Sequence, residues 1–197
     1  EERYIGNANV FSEKEAAKLL NRKCSIKNQD VTAPYYKRVQ GKDPVTKMQY
    51  LDMHIWLVHD ILMKGDKMGM ANSLEVRVPF LDKKVMELSE KLPLKYKVNA
   101  PKTKIALRAA ADRVICSKTA EKKKLGFPIP IRVWIREEQY YNRVKTMFNT
   151  KEAAQFFDLK YLNQLLEEHK CEKHDNSRKI WTVYIFLIWY DRFFANG

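Results

Sequence analysis

Ser177-Arg178-Lys179-Ile180-Trp181-Thr182-Val183-Tyr184-Ile185-Phe186-Leu187-Ile188-Trp189-Tyr190-Asp191-Arg192-Phe193-Phe194 closes a stretch with no proline after Pro130 and no glycine before Gly197. So long a run without breakers predicts helices at about 131–147, 151–157, 159–170 and 177–195. Within the quoted segment Trp181, Tyr184 and Ile188 fall at i, i+3 and i+7, as do Val183, Phe186 and Tyr190. Apolar character on nearly every side predicts a helix buried in the middle of a bundle. Base stacking would need these rings exposed beside basic residues, and the run is nearly uncharged.

Upstream, Ser12-Glu13-Lys14-Glu15 is a capping-box pattern followed by Ala16, Leu19 and Leu20 at helical spacing, which predicts a helix over about 13–22. Residues 23–44 are polar, end in Gly41 and Pro44, and read as a loop. From Val45 to about Lys64, Leu51, Ile55, Val58 and Leu62 form one stripe at i, i+4, i+7 and i+11. Asp52, His59 and Asp60 interrupt that apolar run. Pro79 cannot sit in a helix interior, so residues 75–80 are expected to be extended. Asp82 is positioned to cap a helix over about 83–91 that stops at Pro93, and an Ala-rich helix is expected at about 102–114. Residues 117–130 form a second irregular segment. The expected fold class is mainly α, an irregular helical bundle without repeats.

The 197 residues, of mass 23.3 kDa, suit one domain or a large piece of a bigger protein. With 45% hydrophobic and 31% charged residues, the chain can form a core. Its formal charge of +13 admits nucleic acid, anionic lipid or a phosphorylated small molecule as partner without choosing among them. Residues 83–124 carry thirteen Lys or Arg and four Asp or Glu, so +9 of that charge belongs to one region. The six glycines are scattered, and no two lie within three residues of each other. A phosphate-cradling loop needs clustered glycines to converge backbone N–H groups on an oxyanion, and none is present. Cys24, Cys116 and Cys171 are odd in number and far apart, which fits a reducing, cytoplasmic setting rather than a disulfide framework. Glu1-Glu2-Arg3-Tyr4 lacks signal-peptide character. The longest apolar stretch, Ile180 to Tyr190, is shorter than the roughly 20 residues of a membrane span.

Four groupings are candidates for chemistry. In an extended segment Glu75 and Arg77 point to one side. They either pair with each other, as a buried ion pair bracing the junction before Pro79-Phe80-Leu81-Asp82, or face a pocket together. Lys122-Lys123-Lys124 precedes Leu125-Gly126-Phe127-Pro128. The triple lysine is either a solvated loop or holds one ammonium, Lys124 being the best anchored, against developing negative charge. His169-x-Cys171-x-x-His174 offers three ligand types without the second pair that structural zinc usually requires. His54 and His59, five apart, lie on different helix faces, so no metal site is expected.

Taken together these motifs resemble the glutamine-dependent asparagine synthetase family, in the C-terminal half of its synthetase domain. The resemblance is carried by Leu57-Val58-His59-Asp60, by Asp66-Lys67-Met68-Gly69-Met70-Ala71-Asn72-Ser73-Leu74-Glu75-Val76-Arg77-Val78-Pro79-Phe80-Leu81-Asp82, and by Lys124-Leu125-Gly126-Phe127-Pro128. It runs from about Met48 to Trp134 and resumes from Trp181 to Phe194. It divides the chain into a linking region at 1–47, a motif-bearing region at 48–134 and a helical C-terminal region at 135–197. The fold then implied is the helical C-terminal portion of an α/β adenine-nucleotide α-hydrolase-like domain. The family's Ser-Gly-Gly-x-Asp-Ser pyrophosphate loop and its N-terminal cysteine nucleophile are not in this sequence.

What the resemblance implies is an ATP-dependent ligase that adenylates the side-chain carboxylate of aspartate and amidates it with glutamine-derived ammonia. The products are asparagine, AMP and pyrophosphate. ATP and Mg2+ belong to the parent enzyme, and this segment alone is expected to bind neither and to be inactive without the glutaminase and nucleotide-binding portions. By position, Lys124 matches the lysine that contacts the acyl-adenylate, and Asp60 an acidic residue near it. The usual Pro-Asp is replaced by Val58-His59 before Asp60. Glu75 and Arg77 match the pocket-shaping block, as candidate substrate-binding residues. Relatives such as β-lactam synthetases act on other carboxylates, so the acceptor stays open. The rival readings are a basic helical nucleic-acid module, for which no docking motif is found, and a helical scaffold with decayed sites. Neither nucleic acid nor membrane is the expected partner, and homo-oligomerisation is left open.

Overall fold

The computed structural model describes residues 10–23, 25–123, 126 and 129–195. Among them there is no β-strand, only isolated bridges between Leu20 and Phe157 and between Val98 and Thr103. The rest is helix and connecting turn, as the chain's lack of period-two alternation predicts. The described residues fall into two units, one drawn from 1–31 and 128–197 and the other from 32–127.

The first unit holds α1 (Glu13–Leu19), α9 (Ile131–Trp134), α10 (Glu138–Phe148), α11 (Lys151–Phe156), α12 (Leu159–Lys170) and α13 (Ser177–Tyr190), the last continuing as a π-helix over Asp191–Ala195. Ser12 caps α1 reciprocally with Glu15, the box its sequence announces. Thr150 and Asp158 cap α11 and α12 with their side chains alone, accepting from the backbone N–H of Ala153 and Tyr161. One edge of α13 is fully buried: Ile180, Val183 and Leu187, at i, i+3 and i+7, meet Tyr141, Val144 and Phe148 of α10 and Leu162, Leu165 and Leu166 of α12 in a single core. Phe156 and Phe157 pack edge-on against Phe186 at ring separations of 5.3 and 5.6 Å, which closes α11 onto α13.

The expectation that α13 is buried all round is corrected. Trp181, Ile185, Trp189, Phe193 and Phe194 are exposed. The helix has one neighbour-covered edge and one bare one, because α10 and α12 lie against the same edge. The single helix expected over 131–147 is also broken. Glu137 is extended (φ −66°, ψ 137°), and α10 starts anew after it. The break serves the end of α12. Lys170 donates to the carbonyl of Arg136 at 2.6 Å and pairs with Glu138 at 2.9 Å, while Arg136 Nε donates to the carbonyl of His169 at 3.1 Å. A continuous helix would tie up the Arg136 carbonyl that Lys170 uses.

His169 is wholly buried, and its Nε2–H donates to the carbonyl of Arg132 at 3.0 Å. Burial pushes its pKa down, so the ring is neutral, with Nδ1 3.7 Å from the Asp175 carboxylate. This histidine is a structural link between α9 and α12. Cys171 and His174, its companions in the sequence motif, are exposed.

The second unit contains α2 (Asn28–Arg38, begun in the first), α3 (Pro44–Leu51), a π-helix over Asp52–Leu62, α4 (Met63–Met70), a 3-10 turn at Pro79–Leu81, α5 (Lys83–Lys91), α6 (Leu94–Lys97), α7 (Ile105–Ala111) and α8 (Ser117–Ala120). The loop expected over 23–44 is therefore in part a helix. Pro34 lies inside α2 and withholds one backbone donor, yet Asp30 in the first turn and Lys37 and Arg38 in the last match the helix dipole at both ends. Tyr36 in this helix and Val39 just after it are buried. The 102–114 helix shrinks to α7, because Lys104 adopts the left-handed region (φ 59°) and stops it from extending backwards. Residues 83–91 form a helix with Asp82 as cap, accepting from Lys84 N–H at 2.8 Å, as the sequence predicts.

Lys179 of α13 is ion-paired with Glu15 of α1, and Ser12 donates to the same carboxylate. The Lys179 ammonium and the Ser12 donors together hold Glu15 at a pKa of about 2 against an ordinary 4.5. A depressed carboxylate stabilises the fold above its unfolded pKa, and that contribution is lost as pH falls through the folded value. Between pH 5 and pH 2.5 the fall in melting temperature, read by circular dichroism, is therefore expected to be smaller in Glu15→Gln than in the unsubstituted chain.

Candidate functional site

The segment that carries the sequence motif begins at the end of α4. Leu74 N–H donates to the Gly69 carbonyl at 2.9 Å and Ser73 N–H to the Met70 carbonyl at 3.1 Å, with Ser73 left-handed at φ 56°. This is the Schellman pattern of paired 6→1 and 5→2 bonds, closed here by serine in place of the usual glycine. Gly69 is required for a different reason. A Cβ there would sit 2.6 Å from the Leu74 carbonyl oxygen and 3.2 Å from Val76 Cγ2, so only glycine lets the outgoing chain lie on the helix.

The turn launches residues 74–78 as irregular chain, and Pro79 opens a 3-10 turn instead of continuing the extended run expected over 75–80. Pro79 and Leu81 thus bend the chain just ahead of the Asp82 cap. Glu75 and Arg77 do pair, Nη2 to Oε2 at 3.1 Å. They are not the buried brace that one reading of their spacing expects, since their side chains are 68% and 82% exposed. Leu74, Val76 and Phe80 around them are exposed as well, so nothing covers the pair. An exposed ion pair of this kind contributes only about 0–1 kcal/mol, leaving both groups available to a ligand at little cost.

Asp60 lies on the π-helix. It accepts from Trp56 Nε1–H at 2.8 Å and pairs with Lys64 at 3.6 Å. The structure places it in no hydrogen bond or ion pair with Glu75 or Arg77. The π-helix also explains why the stripe expected from Leu51 to Leu62 splits, with Leu51 fully buried and Val58 48% exposed. Pairing from i to i+5 widens each turn, so side chains spaced for 3.6 residues no longer line one edge.

Lys124, with Leu125, Phe127 and Pro128 of the turn expected to brace it, lies outside the described residues. The chain leading to it is described, and Arg108 anchors it. Arg108 Nη1 donates to the carbonyls of Ala120 at 2.7 Å and Lys122 at 3.1 Å, while its Nε donates to Thr103 at 3.1 Å. Lys102 pairs with Glu121 at 3.2 Å beside it. Sequence reasoning missed Arg108. Its one signal is that it is the sole charged residue of the helix Ile105-Ala106-Leu107-Arg108-Ala109-Ala110-Ala111. On the same approach, hydrogen bonds from the hydroxyl and backbone of Thr119 hold the Cys116 thiol below its ordinary pKa.

Among the described residues no three His, Cys, Asp or Glu side chains gather where a metal ion could be held. No helix among them is long and apolar enough to cross a membrane.

The family model described as asparagine synthase matches residues 1–191. The chain belongs to the asparagine synthase family. "Asparagine synthetase [glutamine-hydrolyzing] 1" of Bacillus subtilis (strain 168) is 44% identical over 191 residues, covering 96% of this chain and 30% of its own length. A Mycobacterium tuberculosis (strain ATCC 25618 / H37Rv) protein provisionally given the same enzyme name is 40% identical over 198 residues, covering 100% of this chain and 30% of its own length. The synthase-family chain thus spans about 30% of the length of these curated relatives. No solved structure matches it. The mainly helical character expected of this part of the synthetase domain agrees with the helices described above.

Two substitutions test the geometry of the motif turn in this family member. Ser73→Gly removes the left-handed cost of a side chain and is expected to raise stability by about 1 kcal/mol. Gly69→Ala is expected to lower it by about 1–3 kcal/mol, since its methyl group meets backbone that must shift. Chemical denaturation of both variants measures each effect.

Proposed function

We propose that this chain is the lysine-bearing part of an ATP-dependent amide ligase that makes asparagine from aspartate. The observation that carries this reading is the family match over residues 1–191, together with relatives whose names state glutamine-hydrolysing asparagine synthesis. In the proposed reaction the side-chain carboxylate of aspartate displaces pyrophosphate from ATP. Ammonia released from glutamine then attacks the activated carbonyl, and AMP leaves.

The nucleotide's phosphates need converging backbone N–H groups. The scattered glycines of this chain supply no such loop, so the reading assigns that cradle to the part of the family's polypeptide that this chain does not span. Mg2+, when present, would neutralise phosphate charge there, and no step is assigned to it here.

This chain's own contribution is electrostatic. Lys124 supplies an ammonium to the oxygen that becomes negative as ammonia adds, a role suited to a compact point charge. Arg108 is a positioning residue, acting through its hydrogen bonds to the Ala120 and Lys122 carbonyls at the base of that segment. Glu75 and Arg77 form the charged wall against which the amino-acid substrate is recognised. Asp60 supplies a carboxylate from the π-helix, with Trp56 and Lys64 fixing its orientation.

In the complete ligase, Lys124→Ala is expected to lower kcat/KM for asparagine formation at least about tenfold, or about 1.4 kcal/mol of transition-state stabilisation. Unchanged turnover would remove the catalytic assignment and favour a decayed scaffold. The 197-residue chain supplied with aspartate, ATP and ammonia is expected to form no asparagine, and robust turnover by it refutes the division of labour proposed here.

A further inference from the structure

Among the described residues, one buried side-chain nitrogen has no hydrogen-bond partner: Nδ1 of the wholly buried His169, near the end of α12. The ring's Nε2 lies 3.0 Å from the Arg132 carbonyl, which can only accept. Nε2 therefore holds the proton of the neutral ring, and Nδ1 presents a lone pair. Facing that lone pair, 3.7 Å away, is Oδ1 of Asp175, an acceptor as well. Buried polar atoms are normally paired, and here two acceptors are set against each other. One proton placed between them would satisfy both.

The same Asp175 oxygen already has a use. It accepts from Ser177 Oγ–H at 2.6 Å and from Ser177 N–H at 3.1 Å. Ser177 is the first residue of α13, and the N-cap residue Asn176 makes no side-chain bond to the helix start. Asp175 thus supplies the cap from one position further back. Its oxygen has two claimants, the start of α13 while the ring is neutral and Nδ1–H once the ring is charged. With its side chain half exposed, Asp175 also connects the sealed ring to solvent and gives a proton a way in.

The surrounding groups set when the ring charges. Burial disfavours the imidazolium, and so does the Arg136 guanidinium from the link between α9 and α10. The Arg132 carbonyl, the Asp175 carboxylate and the His174 carbonyl favour it. The balance lies below the ordinary histidine value, so the ring is neutral at pH 7 and takes a proton only on acidification. Ser177, and the charge of Arg132 on α9, keep Asp175 ionised. The other charged groups nearby are engaged elsewhere. Arg136 pairs with Glu172 at 3.0 Å, Lys170 of α12 pairs with Glu138 of α10 at 2.9 Å, and Glu168 accepts from Asn176 at 3.4 Å.

We propose that His169, Asp175 and Ser177 form a proton-operated latch on α13. Uptake of one solvent proton at Nδ1 draws the Asp175 carboxylate from Ser177 to the imidazolium and releases the first turn of α13. The Nε2–H bond to Arg132 keeps α9 attached throughout. Because α13 carries the buried edge of Ile180, Val183 and Leu187, the latch acts on the helix that organises this unit's core. It operates whether or not the chain takes part in the ligation proposed above.

A pH titration followed by NMR tests this in the 197-residue chain carrying His174→Gln, which leaves His169 the only imidazole at the turn. Below the His169 midpoint both ring nitrogens are expected to carry protons. The Ser177 amide proton is expected to move upfield with the same midpoint, as its bond to the carboxylate is given up. A Ser177 signal that stays in place through the His169 midpoint overturns the latch, and so does a ring that stays neutral until the chain unfolds. Asp175→Asn, added to the same chain, keeps an oxygen for Ser177 but removes the charge. It is expected to lower the proton affinity of His169 at least about threefold. An unchanged or raised affinity shows that the carboxylate is not the ring's partner and overturns the proposal.

Discussion

Burial of Ile180, Val183 and Leu187 along one edge of α13 is the interaction on which the order of residues 131–195 depends. Each of these side chains removed from water contributes about 1.5–3 kcal/mol, and all three face α10 and α12 at once. The remaining contacts of that unit follow from where this edge must go. Phe186 turns toward Phe156 and Phe157, Lys179 reaches Glu15 of α1, and Lys170 and Arg136 lock the two ends of α10 and α12 together. Each buried polar side chain described in this unit donates to an oxygen, His169 to the Arg132 carbonyl, Asn176 to the Leu165 carbonyl and Ser177 to the Asp175 carboxylate. That is the condition for keeping such groups in a packed interior.

The motif-bearing unit obeys a different constraint. Its helices are short, and side chains cap two of them, Asp43 before α3 and Asp82 before α5. Its most conspicuous local device is the turn at Gly69–Leu74, which holds chain close to helix while the surrounding apolar side chains remain in solvent. Charge is arranged in the same spirit. Glu75 with Arg77, Asp60 with Lys64, and Lys102 with Glu121 are all exposed pairs, worth little to stability and easily redirected to a ligand. A surface with a rigid turn, bare apolar residues and lightly committed charges suits a place where other groups arrive.

Much of this was legible beforehand, for identifiable reasons. The capping box at Ser12, the cap at Asp82 and the helix over Leu159–Lys170 were read correctly because a cap or a breaker-free period is a local fact. The pairing of Glu75 with Arg77 was one of the two readings their spacing allowed, and its exposure was not foreseen. The helix around Pro34 was hidden because proline and polar residues are also the signature of loops. The break at Glu137 was hidden because no breaker marks it. It exists for the carbonyl that Lys170 takes, thirty-four residues away. Arg108 was passed over because its partners are backbone oxygens, which sequence does not display.

By itself, the sequence determined that the chain is helical, where most helices begin, that no glycine cradle for phosphate lies within it, and which motif it carries. These depend on interactions within about four residues, or on which residue types are present at all. Only the tertiary structure decided which edge of α13 is covered, that the stripe after Leu51 splits, and that the Pro-Phe-Leu-Asp junction faces solvent. Those outcomes depend on what lies against each side chain, and periodicity marks a side chain as apolar without naming the neighbour that will cover it.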